Sequence, residues 1–370
     1  MAPLNGVSVV DFATLLPGPM ATLILAEAGA EVIKVERPDG GDDMRAYEPL
    51  VDGVSVNFMM LNRGKTSLAL NLKDQRDKDR LRPILERADV IIEQFRPGVM
   101  ARLGLGYDDV RKINPDIIYC SISGWGATGP KAQEAAHDLN FMAETGVLGL
   151  TTGADGAPVL PPILAGDIAG GTYPAVINIL LALRQRELTQ DGAWLDISMG
   201  DNLFPFMYWA LGNANALGQW PRSSAETVTG GSPRYQIYRT KDERYLAAAP
   251  LEQKFWSNFC EIIGLPDHLR DDSSDPSSTK AKVAELIAGQ TSKYWQEVFS
   301  GQDVCCSIVL SLQEALEDPH WSARGLFDAK LRIDQTLVPA LPTIVAPALR
   351  SLDVKPEAPS LGSFDPVEAE

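Results

Sequence analysis

The sequence predicts an α/β chain, with a large Rossmann-like domain built on a parallel sheet and a smaller α+β domain. Three observations carry this. Short runs rich in Val and Ile alternate with helix-length segments through the first third of the chain. A polar stretch rich in Gly, Ser and Thr at 218–232 breaks that alternation. A hairpin pattern and three helical segments follow it. Strand–helix–strand alternation favours parallel pairing, because the intervening helix returns the chain to the starting edge of the sheet.

Residues 7–12 (VSVVDF) read as the first strand, and Pro17-Gly18-Pro19 as the turn out of it. A helix of small residues covers 20–28, Gly29 ends it, and 31–36 (EVIKVE) completes a βαβ unit. Further strands are expected at 67–72, 90–93 and 117–122, with a helix over 75–88 that Pro83 could kink or split. A long helix with an apolar face covers 173–186, a strand 193–198 and a helix 200–217. Strands at 235–239 and 245–249 form the hairpin, and helices follow at 253–263, 279–289 and 292–299. The large domain is therefore placed at 1–220, completed by 326–370, and the small domain at 225–325. The tail after 350, rich in Pro, Ser and acid, is expected to run over a surface.

The formal net charge is −16, from 33 basic and 49 acidic residues, which argues against a nucleic-acid partner. It also makes the basic residues within the first 102 positions informative, because they sit beside loop signals. Cys120, Cys260, Cys305 and Cys306 form no CxxC and no zinc spacing, so no metal site is expected. They read as incidental thiols in a reducing compartment. The opening MAPLNGVSVVDF has neither a basic n-region nor a long apolar stretch. The apolar segment 175–183 contains Asn178 and is too short for a bilayer. A cytoplasmic protein without a membrane partner is the expectation.

Gly124-Trp-Gly126-Ala-Thr-Gly129 fits GxGxxG after an expected strand, and is the ground for a remote alternative, an NAD(P)-dependent dehydrogenase. A dinucleotide fingerprint needs a helix opening directly on the glycines. Pro130 and a polar stretch come next, so a plain glycine loop is the better reading.

Three residues could carry chemistry. His137 precedes Asp138 and a mixed polar and apolar run, whereas His268 and His320 read as surface turns or helix starts. Histidine exchanges protons readily near neutral pH. Asp167 stands among apolar residues and glycines, where desolvation would raise its pKa; capping of the following helix competes. Glu252 opens a helix, and an acid favoured by the helix dipole is its plainest reading.

Taken together, the segments LNGVSVVDFATLLPGPMATLILAEAGAEVIKVERP, LNRGKTSLALNLK, ADVIIEQFRPGVMARLGLGYDDV, NPDIIYCSISGWGATGP, AAHDLNF, LAGDIAGG and GGSPRYQIYRTKDERYLAAAPLEQKFW resemble the family III CoA-transferase (CaiB/BaiF) superfamily, closest to its α-methylacyl-CoA racemase branch. The similarity runs from Leu4 to about Phe327. The resemblance implies an interlocked homodimer. It also implies coenzyme A as part of an acyl-CoA substrate, with no prosthetic group.

The resemblance assigns CoA contacts to Arg37, to the loop Asn62, Arg63, Gly64 and Lys65, and to Gln94, Phe95, Arg96 and Arg102. Guanidinium and ammonium groups suit the phosphates of that ligand. Ala136, Asp138, Leu139, Asn140 and Phe141 would flank the thioester, with a backbone N–H as the donor to an enolate oxygen. His137 and Asp167 become the two bases on opposite faces of the acyl α-carbon, and Glu252 the acid that orients the histidine.

CoA-transferases of the same family use the aspartate matching Asp167 as a nucleophile, so Asp167 serves either reaction. His137 and the loop 246–252 favour the racemase. Ala136 where racemases have Gly, and Gln253 where they have Pro, keep the transferase open. Met59, Met60, Met142, Phe204, Phe206, Met207 and Trp209 could line an acyl surface or simply pack a core, and core packing is the better reading.

Overall fold

The computed structural model describes residues 1–153 and 155–365. It contains two compact units: Met1–Thr145 with Pro162–Phe206 and the chain from His320 onward, and Gly146–Pro161 with Met207–Pro319. The change of unit comes at Met207 rather than at 220, and Gly146–Pro161 leaves the large unit.

The main sheet of the large unit has six strands: β1 (Ser8–Asp11), β2 (Glu31–Glu36), β3 (Thr66–Ala69), β4 (Val90–Glu93), β5 (Ile118–Ser123) and β6 (Ala193–Ser198). All pair in parallel, in the order β3-β2-β1-β4-β5-β6. Helix α1 (Pro17–Glu27) is buried along its whole length. That explains its near-continuous apolar sequence. Helix α2 (Gln75–Arg87) starts on the Asp74 side chain, which accepts from the Arg76 N–H at 2.9 Å, and runs unbroken through Pro83. On its side of the sheet Val10, Leu68, Leu81, Ile84, Ile91 and Tyr119 form one core.

Helix α3 (Asp138–Glu144) follows the long loop after β5. A π-helical segment, Gly166–Thr172, leads without a break into α4 (Tyr173–Thr189). Together they make 24 helical residues, long and apolar enough to cross a bilayer by length and composition. This corrects the expectation of too short a segment. Ala175, Val176, Ile179 and Ala182 are nonetheless buried, with α4 lying on α1, β5 and β6.

The segment 200–217 is not one helix. A 3₁₀ turn, Asp201–Met207, contains Pro205, and α-helix begins only at Tyr208. Proline supplies no N–H and clashes with the preceding turn. The tail is fastened to the large unit by backbone hydrogen bonds. The Ser351 N–H donates to the Glu27 carbonyl at 2.7 Å and the Phe364 N–H to the Ser67 carbonyl at 2.8 Å, which covers the exposed edge of β3.

In the second unit, β7 (Gln236–Arg239) and β8 (Tyr245–Ala248) form the expected hairpin, and a third strand, β9 (Cys306–Ile308), joins β8 antiparallel. Helices α5 (Gln253–Ile263), α6 (Pro276–Ala288) and α7 (Ser292–Phe299) cover this sheet. Trp256, Phe259, Leu246, Val283, Ile287 and Trp295 form its core.

Candidate active site

Parallel strands send all their carboxyl ends to one edge. In this order the chain turns one way after β1 and the other way from β4, which opens a crevice between those two strands. A cavity of about 340 Å³ lies there. Leu15 and Pro17 line it from beyond β1, Gln94 to Pro97 from beyond β4, and Ser123 to Trp125 from the end of β5. His137, Asn140, Phe141, Asp167 and Met199 complete the wall.

The β1–α1 loop is held from beneath by buried charges. The Lys34 ammonium lies 2.9 Å from the Asp42 carboxylate and donates to the Ala13 carbonyl at 2.7 Å. Asp42 in turn accepts from the Leu15 N–H at 3.0 Å, which holds Leu15 at φ 62°. A branched side chain at positive φ is strained and needs such restraint. Next to it, Asp11 accepts from Thr22 at 2.6 Å and from Lys65 at 3.2 Å. Burial pushes the Asp11 carboxyl up, but Lys34, Lys65 and Thr22 together hold it below its ordinary range. Two further bonds fix the loop from the side. The Gly18 N–H donates to Gln94 Oε1 at 3.0 Å, and the Thr172 hydroxyl to the Pro17 carbonyl at 2.8 Å.

His137 immediately precedes α3. Its backbone N–H donates to Asn140 Oδ1 at 3.0 Å, so the side chain of the third helical residue fixes the backbone of the histidine. Asp167 lies in the first turn of the π-helical segment, a form often met at functional sites. It does not cap that helix, because the N-cap residue is Ala165. Gly170 lets the segment press onto the Met199 carbonyl, which a Cβ would meet at 2.3 Å. Burial pushes the Asp167 carboxyl up to about 6, and the neighbouring Asp138 adds to the effect while His137 opposes it. The site therefore pairs an imidazole with a carboxyl that titrates near neutrality, which suits proton exchange.

The other expected residues divide. Gln94, Phe95, Arg96, Ala136, Asn140 and Phe141 line the same cavity as His137 and Asp167. Asp138 is buried beside them, and Leu139 is exposed. Arg37 lies just beyond the carboxyl end of β2, exposed and paired with Asp43. Arg102, itself exposed, ends a short helical turn after β4.

The loop Asn62–Lys65 does not present an open phosphate site. It enters β3 from the amino end, with Asn62, Arg63 and Lys65 all buried. Arg63 is committed to Glu27 and the Leu341 carbonyl, and Lys65 to Asp11, Asn62 and the Pro19 carbonyl. The Gly64 N–H donates to the Glu357 carbonyl at 3.0 Å. The residues that leave β3 at its carboxyl end are Leu70 to Lys73, and there Lys73 is exposed. Glu252 is the exposed N-cap residue of α5 in the second unit. His268 and His320 are exposed.

Sequence reasoning missed Leu15, Trp125 and Met199. Each follows the carboxyl end of a parallel strand, and that position was the available signal. Of the acyl candidates in the large unit, none lines this cavity. Met59 and Met60 pack with Leu331 and Ala340, Met142 is buried, and Phe204 and Phe206 are exposed. Met207 and Trp209 fall in the second unit. The glycine loop opens no helix, since α3 starts only at Asp138. Gly124 instead makes room for the Phe141 ring, which a Cβ would meet at 2.7 Å. Among the described residues no group of His, Cys, Asp or Glu is placed to hold a metal ion.

The chain is similar to known proteins over most of its length. The family model of CoA-transferase family III matches residues 4–364. An acetyl-CoA:oxalate CoA-transferase of Acetobacter aceti is 34% identical over 333 residues, 88% of this chain and 85% of that one. The human alpha-methylacyl-CoA racemase is 33% identical over 357 residues, 95% of this chain and 90% of that one. The crystal structure of a CaiB/BaiF family protein from Brucella suis superposes with a TM-score of 0.83 at 29% identity, covering 100% of this chain and 98% of the other. The chain belongs to CoA-transferase family III, the enzyme family that joins acyl-CoA racemases and CoA-transferases.

Proposed function

We propose that the chain racemises 2-methylacyl-CoA thioesters by two-base α-proton transfer. The observation that carries this is the presence of both His137 and Asp167 in the wall of one cavity. One of them takes the Cα proton, and the electron pair of that C–H bond moves into the thioester carbonyl to give an enolate. The conjugate acid of the other returns a proton to the opposite face. The enolate oxygen is stabilised by a backbone N–H at the start of α3, where the first N–H groups have no intrahelical acceptor. CoA phosphates bind along the carboxyl edge, at the exposed cations Arg37, Lys73, Arg96 and Arg102. Coenzyme A enters only as part of the substrate, and no prosthetic group takes part. Glu252 is assigned the orienting role toward His137 on the resemblance alone.

A CoA-transferase is the second reading, and the 34% identity to an acetyl-CoA:oxalate CoA-transferase favours it. There the Asp167 carboxylate attacks the acyl carbonyl, and CoA thiolate leaves an aspartyl anhydride. The thiolate then attacks the aspartyl carbonyl and expels the donor carboxylate. An acceptor carboxylate displaces CoA from the resulting enzyme-CoA thioester to form a second anhydride. The thiolate attacks the acceptor acyl carbonyl of that anhydride, which releases the new acyl-CoA and frees Asp167.

Incubation with one epimer of a 2-methylacyl-CoA in D₂O, without free acid, separates the two. Deuterium at Cα together with both epimers supports the racemase. Lack of exchange, with CoA passing to added oxalate or succinate, overturns it and makes Asp167 the nucleophile. We further propose a homodimer. The apolar face Ile177, Leu180, Leu181 and Leu188 on α4 is exposed in the single chain, and a second copy would cover it. Sedimentation velocity reads this directly. A cytoplasmic location is part of the same proposal.

A further inference from the structure

Asp138 has entered so far through its charge beside Asp167. Its side chain does more. Residue 138 is buried, and its Oδ1 accepts from the Asp167 backbone N–H at 3.0 Å. The same oxygen would lie 3.1 Å from a Cβ at Gly166, so a side chain before Asp167 would press on the carboxylate. Two carboxyl groups, on different helices, are thus tied together through one backbone hydrogen bond.

We propose that Asp138 is a positioning residue for Asp167: its carboxylate fixes the first turn of the helix that carries Asp167 and sets the charge environment in which Asp167 gains and loses its proton. The inference rests on Asp167 being the reacting carboxyl, and it holds for a proton-transfer base and for a nucleophile alike. An acid is a favoured occupant of a helix start, because the exposed N–H groups there favour negative charge. Here the acid comes from another helix and stands next to a second acid. Like charges held close oppose joint ionisation, so Asp138 keeps a proton on Asp167 to higher pH. The rise of Asp167 to about 6 comes first from burial and second from Asp138.

The other ionisable neighbours do not substitute for it. His137 acts in the opposite direction. Arg96 and Glu134 also line the cavity. On the elements packed against this turn, Glu27 of α1 is held by Arg63, Glu144 of α3 pairs with Lys131, and Asp196 of β6 accepts from the Ala127 N–H. Within α4 the first charged residue is Arg184, more than three turns further along.

The test is Asp138→Asn, which keeps an oxygen acceptor for the Asp167 N–H and removes the charge. The Asp167 carboxyl is followed by ¹³C NMR of protein labelled at the aspartate carboxyls, its signal assigned with Asp167→Asn. The expected result is a midpoint about one pH unit lower in Asp138→Asn, the scale on which a neighbouring charge moves a carboxyl. The acidic limb of kcat/KM should move down with it. Asp138→Ser, short and uncharged, must shift the midpoint in the same direction, which guards against a folding defect peculiar to one variant. An unchanged midpoint in either folded variant overturns the inference. A protein inactive in both the exchange and the transfer assays would sink the functional reading, and the carboxyl titration would still decide this one.

Discussion

Asp11 and Asp167 lie in the same unit, and burial pushes both carboxyls up. They end on opposite sides of the ordinary range. Asp11 has Lys34 and Lys65 against it, with hydrogen bonds from Thr22 and Ala13, and is held low. Asp167 has a second carboxylate beside it and is pushed up to about 6. Burial therefore does not choose the outcome; the partners do. The chain places two buried cations, Lys34 and Lys65, beneath the β1–α1 loop that lines the cavity. The reacting position is left without one. One carboxylate is fixed as a permanent anion that shapes a loop, and the other is free to exchange a proton.

The sharpest way to break this contrast is to neutralise each side. Asp167→Asn should lower turnover by about 100- to 10,000-fold, the range removed with a general acid–base or nucleophilic group. A loss under tenfold in the exchange or transfer assay would show that Asp167 is not the reacting carboxyl. On the other side, Lys34→Met leaves Asp42 and Asp11 buried with one cation fewer. The expected cost is about 3–5 kcal/mol of folding stability, as for breaking one half of a buried ion pair. Urea unfolding measures it. Lys34→Met combined with Asp42→Leu should recover part of the loss, since the orphaned charge is then gone too.

The same comparison fixes a sign. The folded Asp167 carboxyl titrates near 6, above its ordinary value of 3.8. A raised carboxyl pKa contributes stability that is fully present below about pH 4 and lost as pH rises through 6. Above that window the ionised group is a net cost of about 2 kcal/mol, after a discount for its partial exposure. Asp167→Asn should therefore unfold at higher urea than the parent at pH 7.5. The gain should shrink toward pH 4. Equal stability across that range would mean that the carboxyl is not raised.

Much of this was legible in the sequence, and what was not has a physical reason. Strands β1, β2 and β4 were visible because buried strands read as short Val/Ile runs, whereas β3 (TSLA) and β6 (AWLDIS) carry few such residues and followed from the strand–helix alternation. The hairpin of β7 and β8 was visible from its turn. Pro205 was in plain view inside an apolar segment, yet an apolar pattern alone continued the helix through it. His137 and Asp167 could be named from their motifs, but no spacing rule says that positions 30 residues apart share a cavity; that follows from α3 and the π-helical segment both meeting the carboxyl edge. The loop Asn62–Lys65 shows the opposite failure. The resemblance assigned CoA contacts to this tetrapeptide, and its position relative to β3 places it away from the carboxyl edge. Coming before β3, it lies at the amino end, and its cations serve Asp11 and Glu27.

That last point yields the mildest prediction. Arg63 and Arg96 are both arginines in loops next to parallel strands, and both were expected to meet CoA. Arg63 is 1% exposed and bound to Glu27, whereas Arg96 is exposed at the rim of the cavity. Removing Arg96 should weaken the encounter with a polyanionic substrate without touching the fold. Arg96→Ala is expected to raise KM for acyl-CoA about 5- to 10-fold, the equivalent of roughly 1 kcal/mol for an exposed charge contact, with more effect at low salt than at high. Its Tm should match the parent. Arg63→Ala should do the reverse and lower Tm, because it leaves the Glu27 carboxylate buried without its cation. If Arg63→Ala instead raised KM at constant Tm, the loop before β3 would open to the substrate in solution, and the division between structural and ligand-facing cations drawn from Asp11 and Asp167 would fail at its own edge.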